Sequence, residues 1–544
     1  MDTVMLVLTM LLLVVVSGFL VRVIPRPLPL PLVQIGLGAL ITTVSDFHVD
    51  LDPHIFFLLF IPPLLFLDGW RIPKTGLFRD KGTILELALG LVIFTVIGLG
   101  FLIHWLIPSM PLGVAFILAA VLSPTDPIAV SAISARVPIP KRVMHILEGE
   151  SLLNDASGLV CLRFATAAVM TGAFSITNAM ATFIWLALGG IGVGVALTIG
   201  VGYIKNWLSS RWGEESGTQI LISLLIPFGA YIIAEHMACS GILAAVAAGI
   251  TMSYVEASGQ AMASTRIRRN VVWDAVQFSA NGVIFVLLGQ QLPDLARGAT
   301  TVITEAGHRE AWWLVVYVIA ILGSLAALRF IWVWLSVRFT MMRAHLRGEA
   351  LQPMHWRMIS VMSLSGVRGA ITLAAALTIP LALPDGTPFP ARDMVIFLAA
   401  AIIISSLILA TVALPRLLHG LDIPQESHQE EEDFARMSAA KAAMQAIEKT
   451  QHEMAEGRTD ADLYARAAIR VMELYRPHIE DKAVKTGEER DVIRQIDNIE
   501  RYLHLAAIKA ERSEILKLAK SRQVEDDMMR KLLREIDLVE ARYL

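Results

Sequence analysis

Asp126 stands in Val121-Leu122-Ser123-Pro124-Thr125-Asp126-Pro127-Ile128, an acid between two prolines in an otherwise apolar run. Each proline removes a backbone donor and crowds the preceding turn, so a helix should unwind here and free carbonyls and amides. In lipid such backbone is tolerated only when buried in protein or lining a cavity. Broken helices that present oxygen groups at mid-membrane are a device for holding ions. A kink capped by Asp126 is the plainer reading, yet Ser123, Thr125 and Asp126 supply more oxygen than a kink requires.

A second polar cluster is Glu148-Gly149-Glu150-Ser151-Leu152-Leu153-Asn154-Asp155. On a helix Glu150, Ser151, Asn154 and Asp155 fall within an arc of about 140°. Helix capping accounts for Glu148 and Glu150 more readily than for Asp155, which a long apolar run follows directly. A charge near the bilayer centre costs about 2.5–3.5 kcal/mol, so it needs a reason to be there. A third feature, Ser365-Gly366-Val367-Arg368-Gly369-Ala370, sets an arginine between glycines and suggests an interrupted, closely packed helix. A buried arginine needs a carboxylate, and Glu150, Asp126 and Asp155 compete for Arg368, with Arg163 a second claimant. Glu235 closes a span, and Arg329 reads as snorkelling to the cytoplasmic side. Asp68, in Leu67-Asp68-Gly69-Trp70, reads equally as the guard of a cytoplasmic funnel and as an interfacial acid beside an anchoring Trp.

The elements that must position these groups are membrane spans. The chain has 544 residues, mean hydropathy +0.61 and 17% charged residues, against roughly 25% charged in a soluble domain. One large water-soluble enzyme is thereby disfavoured, and disorder more so. A net charge of −3 gives no reason to expect a nucleic-acid partner. Cys161 and Cys239 lie in apolar runs, and the scattered histidines form no metal motif, so no cofactor is expected. About thirteen apolar segments of roughly 20 residues fit between the N-terminus and residue 418. The first lacks a basic leader and a small-residue cleavage site and reads as a retained helix. With the N-terminus outside, inside loops collect Arg71, Lys74, Arg79 and Lys81, then Arg136, Lys141 and Arg142, then Arg266, Arg268 and Arg269; outside loops keep Arg297, Arg309 and Arg392. Composition then shifts to Ala, Glu, Lys, Arg and Leu, which predicts a transmembrane domain over 1–422 and a cytosolic α-helical tail over 423–544. Helices fit 433–457, 460–476, 487–518 and 521–542, as a regulatory or dimer-stabilising bundle.

Ser123-Pro124-Thr125-Asp126-Pro127, Gly149-Glu150-Ser151-Leu152-Leu153-Asn154-Asp155 and Gly366-Val367-Arg368-Gly369-Ala370, in this order and spacing, resemble the cation:proton antiporter-1 family, sodium/proton exchangers with an Asn-Asp pair. The resemblance covers about residues 1–420. It implies an all-α polytopic membrane protein of inverted repeats, with two unwound helices crossing, those containing Asp126 and Arg368. It implies a dimerisation domain, an ion-carrying core and a bacterial homodimer in the inner membrane. The resemblance puts the cation and proton site at Asp155, Thr125, Ser151, Asp126 and Asn154, with Na⁺ at Asp155 and Asn154 supporting Asp126 or the crossing. It also implies a structural ion pair between Glu150 and Arg368.

A hard monovalent cation takes oxygen ligands, and a carboxylate drawn out of water is favoured when neutralised. Asp155 is therefore expected to hold one proton or one Na⁺ in turn. With Asn154 in place of a second acid, one-for-one electroneutral exchange follows as an expectation, with Na⁺, Li⁺ and K⁺ undistinguished. The sequence lacks a carbonyl filter motif, against a channel, and a recurring Ser-His or metal-ligand pattern, against an intramembrane enzyme.

Overall fold

In the computed structural model the described residues are 2–24, 28–44, 53–72, 74–127, 130, 139–171, 176–213, 215–257, 263–305, 312–346, 355–419, 428–455, 461–473, 487–521 and 526–540. Apart from an isolated bridge between Ala382 and Pro388, the described residues form helices, turns and loops. The chain separates into two compact units, Met1–Ile423 and Pro424–Leu544.

The first unit contains α1 (Asp2–Val23), α2 (Leu30–Val44), α3 (Pro53–Arg71), the short α4 (Lys74–Arg79) and α5 (Lys81–Leu85), α6 (Val92–Leu106) and α7 (Leu112–Leu122). It continues with α8 (Lys141–Thr171), α9 (Ile176–Trp212), α10 (Ser216–His236), α11 (Gly241–Ala257), α12 (Ala263–Glu305), α13 (Trp312–Leu346), α14 (Trp356–Leu364), α15 (Ala370–Leu377) and α16 (Arg392–Leu418). Among the described residues, eight helices are long and apolar enough to cross a bilayer, and three shorter helices are apolar too. Helices suit this environment because every backbone donor is satisfied within the segment. Their outer faces stay apolar: Leu12, Phe19, Leu188 and Leu225 are all more than half exposed. Such faces are at home in lipid and costly in water.

Two helix pairs are notched reciprocally, a glycine of each helix facing a carbonyl of the other. Along α2 and α12, a Cβ at Gly38 would strike the Val286 carbonyl, and one at Gly289 the Ile35 carbonyl. Along α3 and α11, a Cβ at Gly69 would lie 2.7 Å from the Val246 carbonyl, and one at Gly249 would strike that of Phe66. Small residues at such seams are what let helix backbones approach in membranes. Elsewhere α7 packs on α6 and α8, and α14 on α13 and α16. Between α5 and α6 the chain takes a π-helical path over Glu86–Leu91, and the Ser157 hydroxyl reaches the Ala88 carbonyl at 2.6 Å. A side chain of α8 thus satisfies an acceptor on the widened turn.

The second unit holds α17 (His428–Ala455), α18 (Ala461–Glu473), α19 (Gly487–Lys520) and α20 (Asp526–Glu540). α17 packs on α18, and α19 on α20, where Ile508 and Ile536 are buried. Arg512 on α19 bonds Asp537 at 2.6 Å and also Glu540. The Glu540 and Asp537 carboxylates hold that guanidinium charged above its ordinary range.

Candidate functional site

α7 stops at Leu122, and Pro124 to Pro127 run on without helical bonding. The helix of the third motif is broken likewise, between Leu364 and Ala370. The two unwound stretches meet. Asp126 donates its amide to the Val367 carbonyl at 2.7 Å, and the Arg368 Nε donates to the Leu122 carbonyl at 2.9 Å. Each break therefore satisfies backbone groups that the other exposes, which removes the cost of leaving them unpaired in an apolar medium. Gly369 permits the crossing, since a Cβ there would overlap the Asp126 carboxylate. Gly158 on α8 admits Pro124, whose Cγ would lie 2.5 Å from a Cβ at that position.

The ion pair is not the expected one. Glu150 is 1% exposed and is held in a two-pronged pair by Arg329, with Nη2 to Oε2 at 2.7 Å and Nη1 to Oε1. The Arg329 Nε donates to the Met362 carbonyl at 3.0 Å. Arg368 instead spends its guanidinium on the Leu122 and Gly366 carbonyls, and its amide bonds Ser406 Oγ at 3.2 Å. Its charge thus lies against carbonyl oxygens at the crossing, while Glu150 points to α13. Arg329 also does not snorkel: it is 3% exposed, 17 residues into a helix of 35. Its guanidinium is taken up by Glu150 and the Met362 carbonyl rather than by water.

Beyond this pair, the Asn154 amide donates to Thr125 Oγ1 at 2.8 Å, and Thr125 lies 3.5 Å from Glu150 Oε1. Asn154 thus fixes the residue beside Asp126. Asp155, 5% exposed, has no hydrogen bond or ion pair among the described residues. It lines a recess of about 30 Å³ together with Thr125, Asp126 and Ser151 on its own side. Leu64 and Asp68 of α3, with Gln277 and Asn281 of α12, line the same recess. That volume suits a bare cation with a water or two, given about 10–15 Å³ per water centre. The recess shares Asp68, Pro127, Ser151, Gln277 and Asn281 with a cavity of about 820 Å³ that opens past Glu148, His145, Arg71 and Asp274. Asp68 is exposed to this space. At the opposite end of α8, Arg163 pairs with Glu235 at 2.8 Å beside a separate cavity of about 440 Å³. Arg163 thereby finds the partner that its sequence context left open.

Three contributors escaped the sequence reading. Arg329 reads from the sequence as a snorkelling side chain, and nothing in its spacing marks Glu150 as its partner. Gln277 and Asn281 are neutral amides, and a search for charges in apolar spans passes over them. Their spacing of four along α12 was the sole hint.

The sodium/hydrogen exchanger transmembrane family model matches residues 7–420. An uncharacterized Na(+)/H(+) exchanger of Escherichia coli, YjcE, is 42% identical over 543 residues, covering 98% of each chain. A sodium, potassium, lithium and rubidium/H(+) antiporter of Bacillus pumilus is 43% identical over 419 residues, which are 77% of this chain and 61% of that one. Among solved structures, the sodium proton antiporter MjNhaP1 of Methanocaldococcus jannaschii superposes with a TM-score of 0.57 at 18% identity, over 77% of this chain and 99% of that one.

Proposed function

The chain belongs to the sodium/hydrogen exchanger family, and from that membership we propose that this multi-pass membrane protein exchanges Na⁺ or Li⁺ for H⁺ one for one at Asp155. The observation that carries the reading is the Asp155 carboxylate, free of protein partners among the described residues, in a recess open to a wide polar cavity. A carboxylate so placed takes either a proton or a cation, because both neutralise it and the space admits one at a time. Ser151, one turn before it, and Thr125 and Asp126 at the break supply further oxygens of the kind a hard cation prefers. Glu150 is neutralised by Arg329 and leaves no net charge to move. The loaded or protonated site then crosses the apolar barrier at low cost, whereas the bare carboxylate does not. Turnover by this scheme carries no net charge.

The wide cavity opens at the end of α8 that the positive charges assign to the cytoplasm, so the conformation is inward-facing with the N-terminus outside. The second unit then lies in the cytoplasm, as a regulatory or dimer-stabilising bundle of a homodimer in a bacterial inner membrane. There the proton gradient would drive Na⁺ out, for sodium and pH homeostasis. K⁺ is a second substrate on this reading, supported by the range of cations for which the Bacillus relative is named.

The test is purified protein in liposomes carrying an interior pH dye. Addition of Na⁺, Li⁺ or K⁺ should collapse an imposed pH gradient, and Asp155→Asn should abolish the response with protein amounts unchanged. A response to no cation would refute antiport; a current that follows turnover would refute electroneutrality.

A further inference from the structure

We infer that Asn281, on α12, is a cation-selecting residue: its amide carbonyl supplies an oxygen to the cation as it docks beside Asp155. The inference rests on the antiport reading above and adds to it a ligand from a helix that carries none of the three motifs. The recess has two walls. Thr125, Asp126, Ser151 and Asp155 form one, and Leu64, Asp68, Gln277 and Asn281 contribute to the other. In the second wall the Gln277 Oε1 is already occupied, accepting from Arg71 Nη1 at 2.9 Å. The Asn281 Oδ1 is buried and has no hydrogen-bond partner among the described residues.

Buried acceptors are nearly always paired. Ala280, Val283 and Ile284, beside Asn281 on α12, are all buried, so an apolar side chain there would fit the surrounding packing. An amide in that setting earns its place through a partner that arrives with the substrate. Asp274, Gln277 and Asn281 also share one face of α12, at spacings of three and four. Asp274, paired with Arg71 at 2.5 Å, is largely exposed at the cavity mouth, and Asn281 reaches the recess. The stripe runs from the cavity mouth to the recess, and of its side chains Asn281 is the one whose oxygen has no protein partner among the described residues. A ligand oxygen attracts a cation more strongly the closer it comes, so losing one oxygen costs most for the smaller ion. Asn281 therefore favours Na⁺ and Li⁺ over K⁺. Because an amide does not titrate in the working range, its loss changes cation binding and leaves the competing proton's binding group in place.

The experiment uses the full chain in liposomes and compares wild type, Asn281→Leu, which keeps the volume and loses the oxygen, and Asn281→Ser, which restores one. K⁺ is read as a substrate or, where it does not turn over, as a competitor of Na⁺. In Asn281→Leu the apparent KM for Na⁺ should rise about tenfold, that for K⁺ about twofold or less, with the maximal rate within about twofold of wild type; Asn281→Ser should recover much of the difference. Equal shifts for all cations, a fall in maximal rate alone, or no shift would overturn the inference. A wild-type protein that responds to no cation would instead defeat the antiport reading, and the two failures are thereby told apart.

Discussion

Replacing Glu150 by Gln tests the assignment of its partner. Glu150 and Arg329 are 1% and 3% exposed, and the guanidinium makes two bonds to the carboxylate and one to a carbonyl. In Glu150→Gln the amide oxygen can still accept one bond, but its NH2 opposes the guanidinium, which is left a buried cation without a counter-charge. Breaking one side of a buried pair costs about 3–5 kcal/mol, a factor of roughly 10² to 4 × 10³ in the folded population. Replacing both members by Gln and Met removes the uncompensated charge, so the double variant should recover most of that loss. The measurement is a double-mutant cycle on reversible unfolding in mixed micelles, run for Glu150 with Arg329 and again for Glu150 with Arg368. Coupling of about 2 kcal/mol or more is expected for the first pair, and about 1 kcal/mol or less for the second, which shares no direct bond. The reverse order would refute the assignment and return Glu150 to Arg368.

Three further outcomes are expected. Thr125→Val removes the acceptor that Asn154 uses at 2.8 Å, in a residue whose Oδ1 already lacks a partner; a loss of about 1–3 kcal/mol should appear as a lower melting temperature and a raised cation KM. Gly38→Ala should cost about 1–3 kcal/mol or more through collision with the Val286 carbonyl, lowering the yield of monodisperse protein on gel filtration, whereas Gly36→Ala on the same helix meets nothing within 4 Å and should leave it unchanged. A chain ending at Ile423 should insert and carry cation-dependent proton flux, because the first unit is compact by itself; loss of flux with normal membrane amounts would make the tail part of the transport machinery.

The motifs were legible in the sequence because they violate the medium: acids, prolines and glycines in apolar runs need a reason, and both breaks fall where those residues stand. The tail helix expected over 487–518 is found over Gly487–Lys520, since no proline or glycine interrupts its interior. The segments longer than a bilayer were harder. α13 runs for 35 residues, well past a bilayer's thickness, so its ends do not report how deep Arg329 lies. The Glu150 partner was illegible for a different reason. Both arginines are the right type, and three-dimensional neighbourhood alone decides between them. The role of Asn281 depends on an oxygen's lack of a partner, which no spacing encodes.

The glycine seams of α2 with α12 and α3 with α11 limit how a carrier of this design can alternate. A carbonyl lodged above a missing side chain is a notch; translating either helix by one residue, about 1.5 Å, would bring it against the next side chain. On the proposed scheme those two pairs behave as a stator, and a stroke that exposes Asp155 to the far side would be taken up between them and the α7, α8, α14 and α15 assembly. Cysteine staples across either seam should be harmless to cycling, while a staple from α8 to α10 near Arg163 should freeze it.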